Sequence, residues 1–260
     1  MSSFPADRKP RNFWGGLRAG TAGPVIIVGI CGFIFSGCDS LPSPVPPEPE
    51  GRLAVLGPSP SFSLTALPTD WAIEGRAEFA SRLVSVTQKD GVPALRVING
   101  DEPFVVVRRI DAALIVTPYL SWAWSMSPYE GSVHPVRMVV GFSGGISGVA
   151  TRVPQALPWM GSELPPHDRI LSLAFGDSAL QRGTLRMSDT GNQAVPRYIV
   201  RGGREQTGSW LLETLDLAGI YAQAWPNDES ADVRIAFIGL AAEGGRPPSE
   251  AAISGIQLSR

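Results

Sequence analysis

Hydrophobic and polar positions alternate most strictly over Tyr119-Leu120-Ser121-Trp122-Ala123-Trp124-Ser125-Met126. Leu120, Trp122, Trp124 and Met126 fall on one side, and Ser121, Ala123 and Ser125 on the other. Successive side chains of a strand point to opposite faces, so this period of two predicts a strand with a large apolar face turned to a core. A helix would scatter the two tryptophans around its axis.

Short β-branched and aromatic runs bounded by turn residues predict further strands. They fall at 70–73, 83–87, 94–98, 104–110, 136–142, 170–175, 183–187, 197–200, 210–215, 233–240 and 252–258. Asp90-Gly91 stands between the second and third of these, the signature of a tight hairpin. Asp216 is placed to cap one short helix near 216–225, which Pro226 would stop. Between Gly144 and Asp168 the period is lost among four prolines, predicting a long irregular excursion of the kind that carries function. About ten strands with almost no helix predict an all-β fold, an antiparallel two-sheet sandwich or jelly roll.

The chain opens differently. A basic segment precedes the apolar run 25–35, which is too short to span a bilayer comfortably but suits the core of a signal peptide. It closes on Phe35-Ser36-Gly37-Cys38, which resembles the lipobox of bacterial lipoproteins, with Phe35 in place of the usual leucine. That resemblance implies lipidation of Cys38, anchorage in the bilayer through it, and a domain in the cell envelope. Asp39 resembles the signal that keeps lipoproteins on the periplasmic face of the inner membrane; the outer membrane is the other possibility. An uncleaved N-terminal anchor, with Cys38 a bystander, is the alternative.

Seven prolines between Leu41 and Pro60 favour extended polyproline II, so residues 38–60 read as a tether between a signal peptide (1–37) and a β domain (61–260). Fully extended, such a tether would reach about 60 Å.

Hydrophobic residues make up 43% of the chain, enough for a sizeable core. Beyond Cys38 there are 18 basic and 23 acidic residues, a net of −5, which argues against a nucleic-acid partner. Both cysteines, Cys31 and Cys38, lie in the N-terminal region, so the body has neither a disulfide nor a thiolate metal site.

The order of motifs resembles one bacterial family. Leu120-Ser121-Trp122-Ala123-Trp124, Val136-Arg137-Met138-Val139-Val140, Ser209-Trp210, Ile220-Tyr221, Ala224-Trp225, Ile235-Ala236-Phe237-Ile238 and Ile256-Gln257-Leu258 are similar to the family called domain of unknown function 3047. The resemblance spans roughly Asp70 to Leu258. It implies a secreted or periplasmic protein with a jelly roll similar to carbohydrate-binding modules, and no defined activity. The chain departs from the pattern at Ala123, at Ser132-Val133-His134-Pro135 and over 241–246. Such departures put in doubt any acidic metal or sugar site that relatives possess.

Candidate chemistry is sparse. Gly141-Phe142-Ser143-Gly144-Gly145 fits the G-x-S-x-G nucleophile pattern with His167 and Asp168 downstream, but no helix follows to complete the elbow, so a flexible turn is the favoured reading. His134 and His167 show no ligand spacing, and neither a metal nor a cofactor is expected. No catalytic residue stands out. Trp122 and Trp124 read as core, whereas Trp159, in the excursion, is the better platform for a sugar ring. Arg137 is a candidate for binding a carboxylate or sugar hydroxyl.

The favoured expectation is therefore a non-catalytic, membrane-tethered binding module whose ligand is a carbohydrate or envelope polymer. An accessory or scaffold subunit docking on a membrane protein complex is the alternative, and a glycan-active enzyme, which would need two facing carboxylates, comes third.

Overall fold

The computed structural model describes residues 45–60, 63, 66–145, 164–187, 195–228 and 232–260. All of them belong to one compact unit, Ser40–Arg260. Cys38, the apolar run 25–35 and Trp159 lie outside the described residues.

In chain order the elements are β1 (Leu53–Leu56), β2 (Trp71–Glu74), α1 (Ala77–Leu83), β3 (Val84–Lys89), β4 (Val92–Ile98), β5 (Phe104–Ala113), β6 (Tyr119–Met126) and β7 (Val136–Ser143). Then come β8 (Arg169–Gly176), β9 (Leu185–Met187), β10 (Pro196–Gly202), β11 (Leu211–Asp216), α2 (Leu217–Ala224), β12 (Arg234–Ala242) and β13 (Glu250–Ser259). They form two sheets, so the chain is an all-β two-sheet sandwich with little helix. One sheet has the order β11-β6-β13-β4-β3, with β1 also on β13; the other runs β2-β5-β12-β7-β8-β10-β9. The pairing is antiparallel except between β8 and β10, which run parallel.

The first core lies between the sheets. Leu120, Trp122, Trp124 and Met126 of β6 all enter it, as their alternation predicts. Trp122 meets Trp124 edge-on at 5.2 Å between ring centroids, and Trp124 meets Phe175 of β8 at 6.1 Å, which links the two sheets. Edge-to-face contacts of this kind add to the burial of the rings themselves.

A second apolar cluster covers the opposite face of the seven-stranded sheet. Val105 and Val107 of β5, Val139 of β7, Ile170 of β8, and Phe237 and Ala241 of β12 pack there with Leu164 and Val195. This is why β12 and, apart from Arg137, β7 read as near-continuous apolar runs while β6 alternates: both faces of the larger sheet are covered. Register slips between Ile235 and Phe237 against both neighbours, and Ala236 and Phe237 both join the second cluster.

Local signals account for the connections. Lys89 pairs with Val92, and Asp90 (φ 52°) and Gly91 (φ 78°) both occupy the left-handed region, the two-residue hairpin that the pair Asp-Gly predicts. Asp216 caps α2 by accepting from the backbone N–H of Gly219 at 2.9 Å.

The structure corrects two expectations. The tether does not extend to residue 60: Leu53–Leu56 pairs with β13 and buries Leu53, Val55 and Leu56, and Val45 already bridges Ile110. An apolar run that can cover the core outweighs the prolines around it, which flank the strand without entering it. A second helix, α1, precedes β3, with Glu78 in its first turn and Arg82 in its last, the charges its dipole favours. The expected antiparallel two-sheet sandwich is otherwise present, with β8 and β10 parallel because β9 intervenes between them in sequence.

Candidate functional site

β7 carries Arg137 among the apolar residues of the outer cluster, since odd-numbered positions of this strand face away from the inter-sheet core. Its guanidinium is 3% exposed. Such a group must find a counter-charge, and the loop after β12 supplies it: Arg137 Nη1 donates to Glu243 Oε1.

Glu243 has further partners. Arg246 Nε stands 2.9 Å from its Oε2, and Arg197 Nη2 of β10 lies 3.9 Å from its Oε1. Burial pushes the Glu243 carboxyl up, but Arg137, Arg246 and Arg197 together outweigh that and hold it below the usual carboxylate range. Arg197 is the strained member. Burial and the facing Arg137 lower its pKa from the ordinary guanidinium value, Glu243 counters this in part, and Arg246 lowers it further.

Beside this hub lies a cavity of about 190 Å³, open to solvent and lined by Ser132, Val133, Gln181, Arg186, Met187, Arg197 and Ile199. Arg186 and Arg197 are directly opposite one another on β9 and β10. Like charges so placed repel. Among the described residues the cavity's lining includes no carboxylate, though the Gln181 amide donates to that of Asp177 at 3.1 Å. Two segments far apart in sequence thus converge here: Ser132-Val133 on the wall, and Glu243 with Arg246 on the hub.

The remaining candidates resolve differently. Ser143 pairs with Arg234 at the end of β7 and, among the described residues, no hydrogen bond joins it to His167 or Asp168. His167 is buried edge-on against Phe237 at 5.1 Å, its Nδ1 2.7 Å from the Pro165 carbonyl. Asp168 accepts from the Gly144 backbone N–H at 2.9 Å, and burial pushes its carboxyl up. The motif is therefore a loop anchor with no assembled triad. Gly141 is small for another reason: a Cβ there would overlap the Phe237 ring.

His134 is fully buried beside Tyr129 and accepts from the Val136 N–H, and its pKa is held down to about 4 by burial. Among the described residues no group of three or more His, Cys, Asp or Glu is placed to hold a metal ion. Most buried carboxylates are already engaged. Asp228 accepts a bidentate pair from Arg169 and the Tyr221 hydroxyl, and Glu213 accepts from Arg201 and Trp124.

The arginine hub escaped the sequence because Glu243 is 106 residues from Arg137 and joins it only through the β7–β12 pairing. The one available signal was an arginine inside the apolar run 136–140, a position that demands a buried partner.

No protein-family model matches the chain, and no curated protein does. Solved structures similar to it include endoglucanase 3 of Trichoderma harzianum from family GH12, at 11% identity, a TM-score of 0.39 and coverage of 82% of this chain and 98% of that one. A family 12 xyloglucanase from Bacillus licheniformis in complex with ligand shares 9% identity at a TM-score of 0.37, over 80% and 99% of the two chains. A family 11 carbohydrate-binding module from Clostridium thermocellum, in complex with a β-1,3-1,4-mixed-linked tetrasaccharide, shares 8% at 0.33, over 76% and 93%. This chain's own strand pairing is what defines it as a two-sheet sandwich.

Proposed function

We propose that the chain is a non-catalytic binding module of the cell envelope, held at the periplasmic face of the inner membrane through lipidated Cys38, with a carbohydrate or other envelope polymer as ligand. The observation that carries this reading is the open cavity at the β9–β10 edge, whose lining mixes hydrogen-bonding groups of Ser132, Gln181, Arg186 and Arg197 with apolar Val133, Met187 and Ile199. Specific sites combine apolar walls with a few directed polar groups in this way. At about 190 Å³ it suits one ring or one substituent of a polymer and falls short of a drug-sized ligand.

A long cleft across the larger sheet is not open to such a ligand at the second apolar cluster, where Val105, Val107, Val139 and Phe237 are fully buried. Docking on a protein complex through an apolar patch is less favoured. Leu212, 75% exposed, belongs to the six-stranded sheet, and Leu180, 92% exposed, follows β8 of the other. These two stand apart, and the other exposed apolar group, Ile115, Val116 and Tyr119, is confined to the β5–β6 connection and the first residue of β6. Glycan hydrolysis needs two carboxyl groups facing one substrate, and Asp228, Glu213 and Glu243 are each locked in ion pairs.

Two measurements test this reading. Intact-mass analysis of membrane-extracted protein is expected to show an acylated chain beginning at Cys38, lost in Cys38→Ala; an unprocessed N-terminus would refute the lipid anchor. Co-sedimentation of the full-length protein in detergent with isolated envelope polysaccharides is expected to show retention that Ser132→Trp, which fills the cavity, abolishes. Retention unchanged by that substitution would refute the cavity as the site.

A further inference from the structure

The ligand named above is a polymer, and the chemistry of the cavity narrows it further. Resting on the binding-module reading, we infer that this cavity takes an oxyanion: a carboxylate or phosphate group carried by the polymer, gripped between Arg186 and Arg197.

The hub and the cavity carry excess positive charge. Among the described residues Arg137, Arg197 and Arg246 share the single carboxylate of Glu243, three positive charges on one negative, and Arg186 stands on the facing strand. One guanidinium would suffice to neutralise Glu243. In a body whose net charge is −5 the local excess is not a reflection of composition.

Near the cavity, hydrogen-bonding capacity is unfilled among the described residues. Nε of Arg137 and Nε of Arg197 are both buried without a partner, as is Oγ of Ser172, the residue paired with Arg197 on β8. Buried donors left unpaired cost free energy, and of these three residues Arg197 is the one that lines the cavity. The planar fork of a guanidinium matches the paired oxygens of a carboxylate or phosphate.

The lining is suited to an anion as well. Ser132 and Gln181 add neutral polar groups, and among the described residues that line the space none is acidic. A structural role for the hub accounts for Arg137, Arg246 and Glu243, which fasten the loop after β12 to the sheet. It accounts less well for Arg197, at 3.9 Å from Glu243, and leaves Arg186 unexplained.

Isothermal titration of the full-length protein in detergent distinguishes the parts of this inference. The probes are an oligogalacturonate, inorganic phosphate and a neutral oligoglucan, each against wild type, Arg197→Gln, Arg197→Lys and Arg186→Gln. Oligogalacturonate and phosphate are expected to bind, to weaken at least tenfold in both glutamine variants, and to weaken as ionic strength rises. Arg197→Lys should recover part of the loss, since it keeps the charge but not the fork. Arg186 is exposed, so its variant reports on binding even if Arg197→Gln fails to fold.

Binding of the oligoglucan with no effect of either glutamine variant would overturn the oxyanion inference and leave the binding module standing. Phosphate binding that the variants abolish, with neither polymer bound, would sustain the oxyanion site and remove the polymer reading. Absence of any anion binding to the wild type would overturn the inference outright.

Discussion

Arg201 of β10 and Glu213 of β11 form a two-pronged ion pair that ties the seven-stranded sheet to the six-stranded one. Arg201 Nε and Nη2 lie 2.6 and 3.0 Å from Oε1 and Oε2, and the indole N–H of Trp124 donates to the same Oε1 at 3.3 Å. The two residues are only twelve apart in sequence, so the pair clamps the stretch where the chain leaves one sheet for the other. Every oxygen of the buried carboxylate is engaged.

Removing one partner of such a pair strands the other. Glu213→Ala is expected to cost about 3–5 kcal/mol, because Arg201 and the Trp124 N–H are left without an acceptor in a desolvated site. The neighbouring Leu212→Ala, on the exposed side of the same strand, should change stability by less than about 0.5 kcal/mol. Urea unfolding followed by tryptophan fluorescence measures both; equal midpoints would contradict the clamp.

Gly141 and Ser143 separate a packing role from a nucleophile role in the G-x-S-x-G stretch. A Cβ on residue 141 would collide with the buried Phe237 ring, so Gly141→Ala should destabilise by about 1–3 kcal/mol. Ser143→Ala should leave stability within about 0.5 kcal/mol. A large loss of any hydrolytic turnover in Ser143→Ala would restore the nucleophile reading.

The β3–β4 turn offers a backbone test. Gly91 sits at φ 78°, and a Cβ added there would meet nothing within 4 Å, so Gly91→Ala isolates the conformational penalty. About 1–2 kcal/mol is expected. Asn at position 90 should be tolerated, because it adopts the left-handed region readily.

His134 predicts an acid-sensitive fold. Burial holds its pKa down to about 4, with hydrogen bonds to the Val136 and Glu250 backbone offsetting this only in part. An unfolded chain takes up that proton near the ordinary value of about 6.5. Stability is thus unaffected above that value and falls as the pH drops toward 4, by about 3 kcal/mol in all. His167, also held down by burial, acts in the same sense. Asp168, pushed up by burial, acts in the opposite sense, because the folded state binds its proton more tightly. Comparing unfolding at about pH 7 and about pH 5 in wild type and His134→Gln should show a smaller loss in the variant; equal losses would contradict the assignment.

Much of the sandwich is legible in the sequence because a half-buried strand declares itself by period. β6 shows it most clearly, and Asp90-Gly91 and Asp216 announce their turn and cap through side-chain chemistry alone. β1 is hidden because Leu53–Leu56 lies among prolines and acquires its meaning from β13, some 200 residues away. α1 is hidden because Ala77–Leu83 is a single short stretch with no apolar period long enough to be distinctive. The site is less legible than the fold. Arg137 could be singled out as an arginine inside an apolar strand, but its partners, Glu243, Arg246 and Arg197, come from separate elements that only the sheet order brings together.

The cavity at β9–β10 as the ligand site is the central claim, and amide hydrogen exchange of the full-length protein with and without saturating oligogalacturonate tests it most directly. Exchange should slow over Leu185–Met187 and Pro196–Gly202, the strands that carry Arg186 and Arg197. Slowing confined to Tyr119–Met126 and Leu211–Asp216, on the six-stranded sheet, or no slowing anywhere, would contradict it.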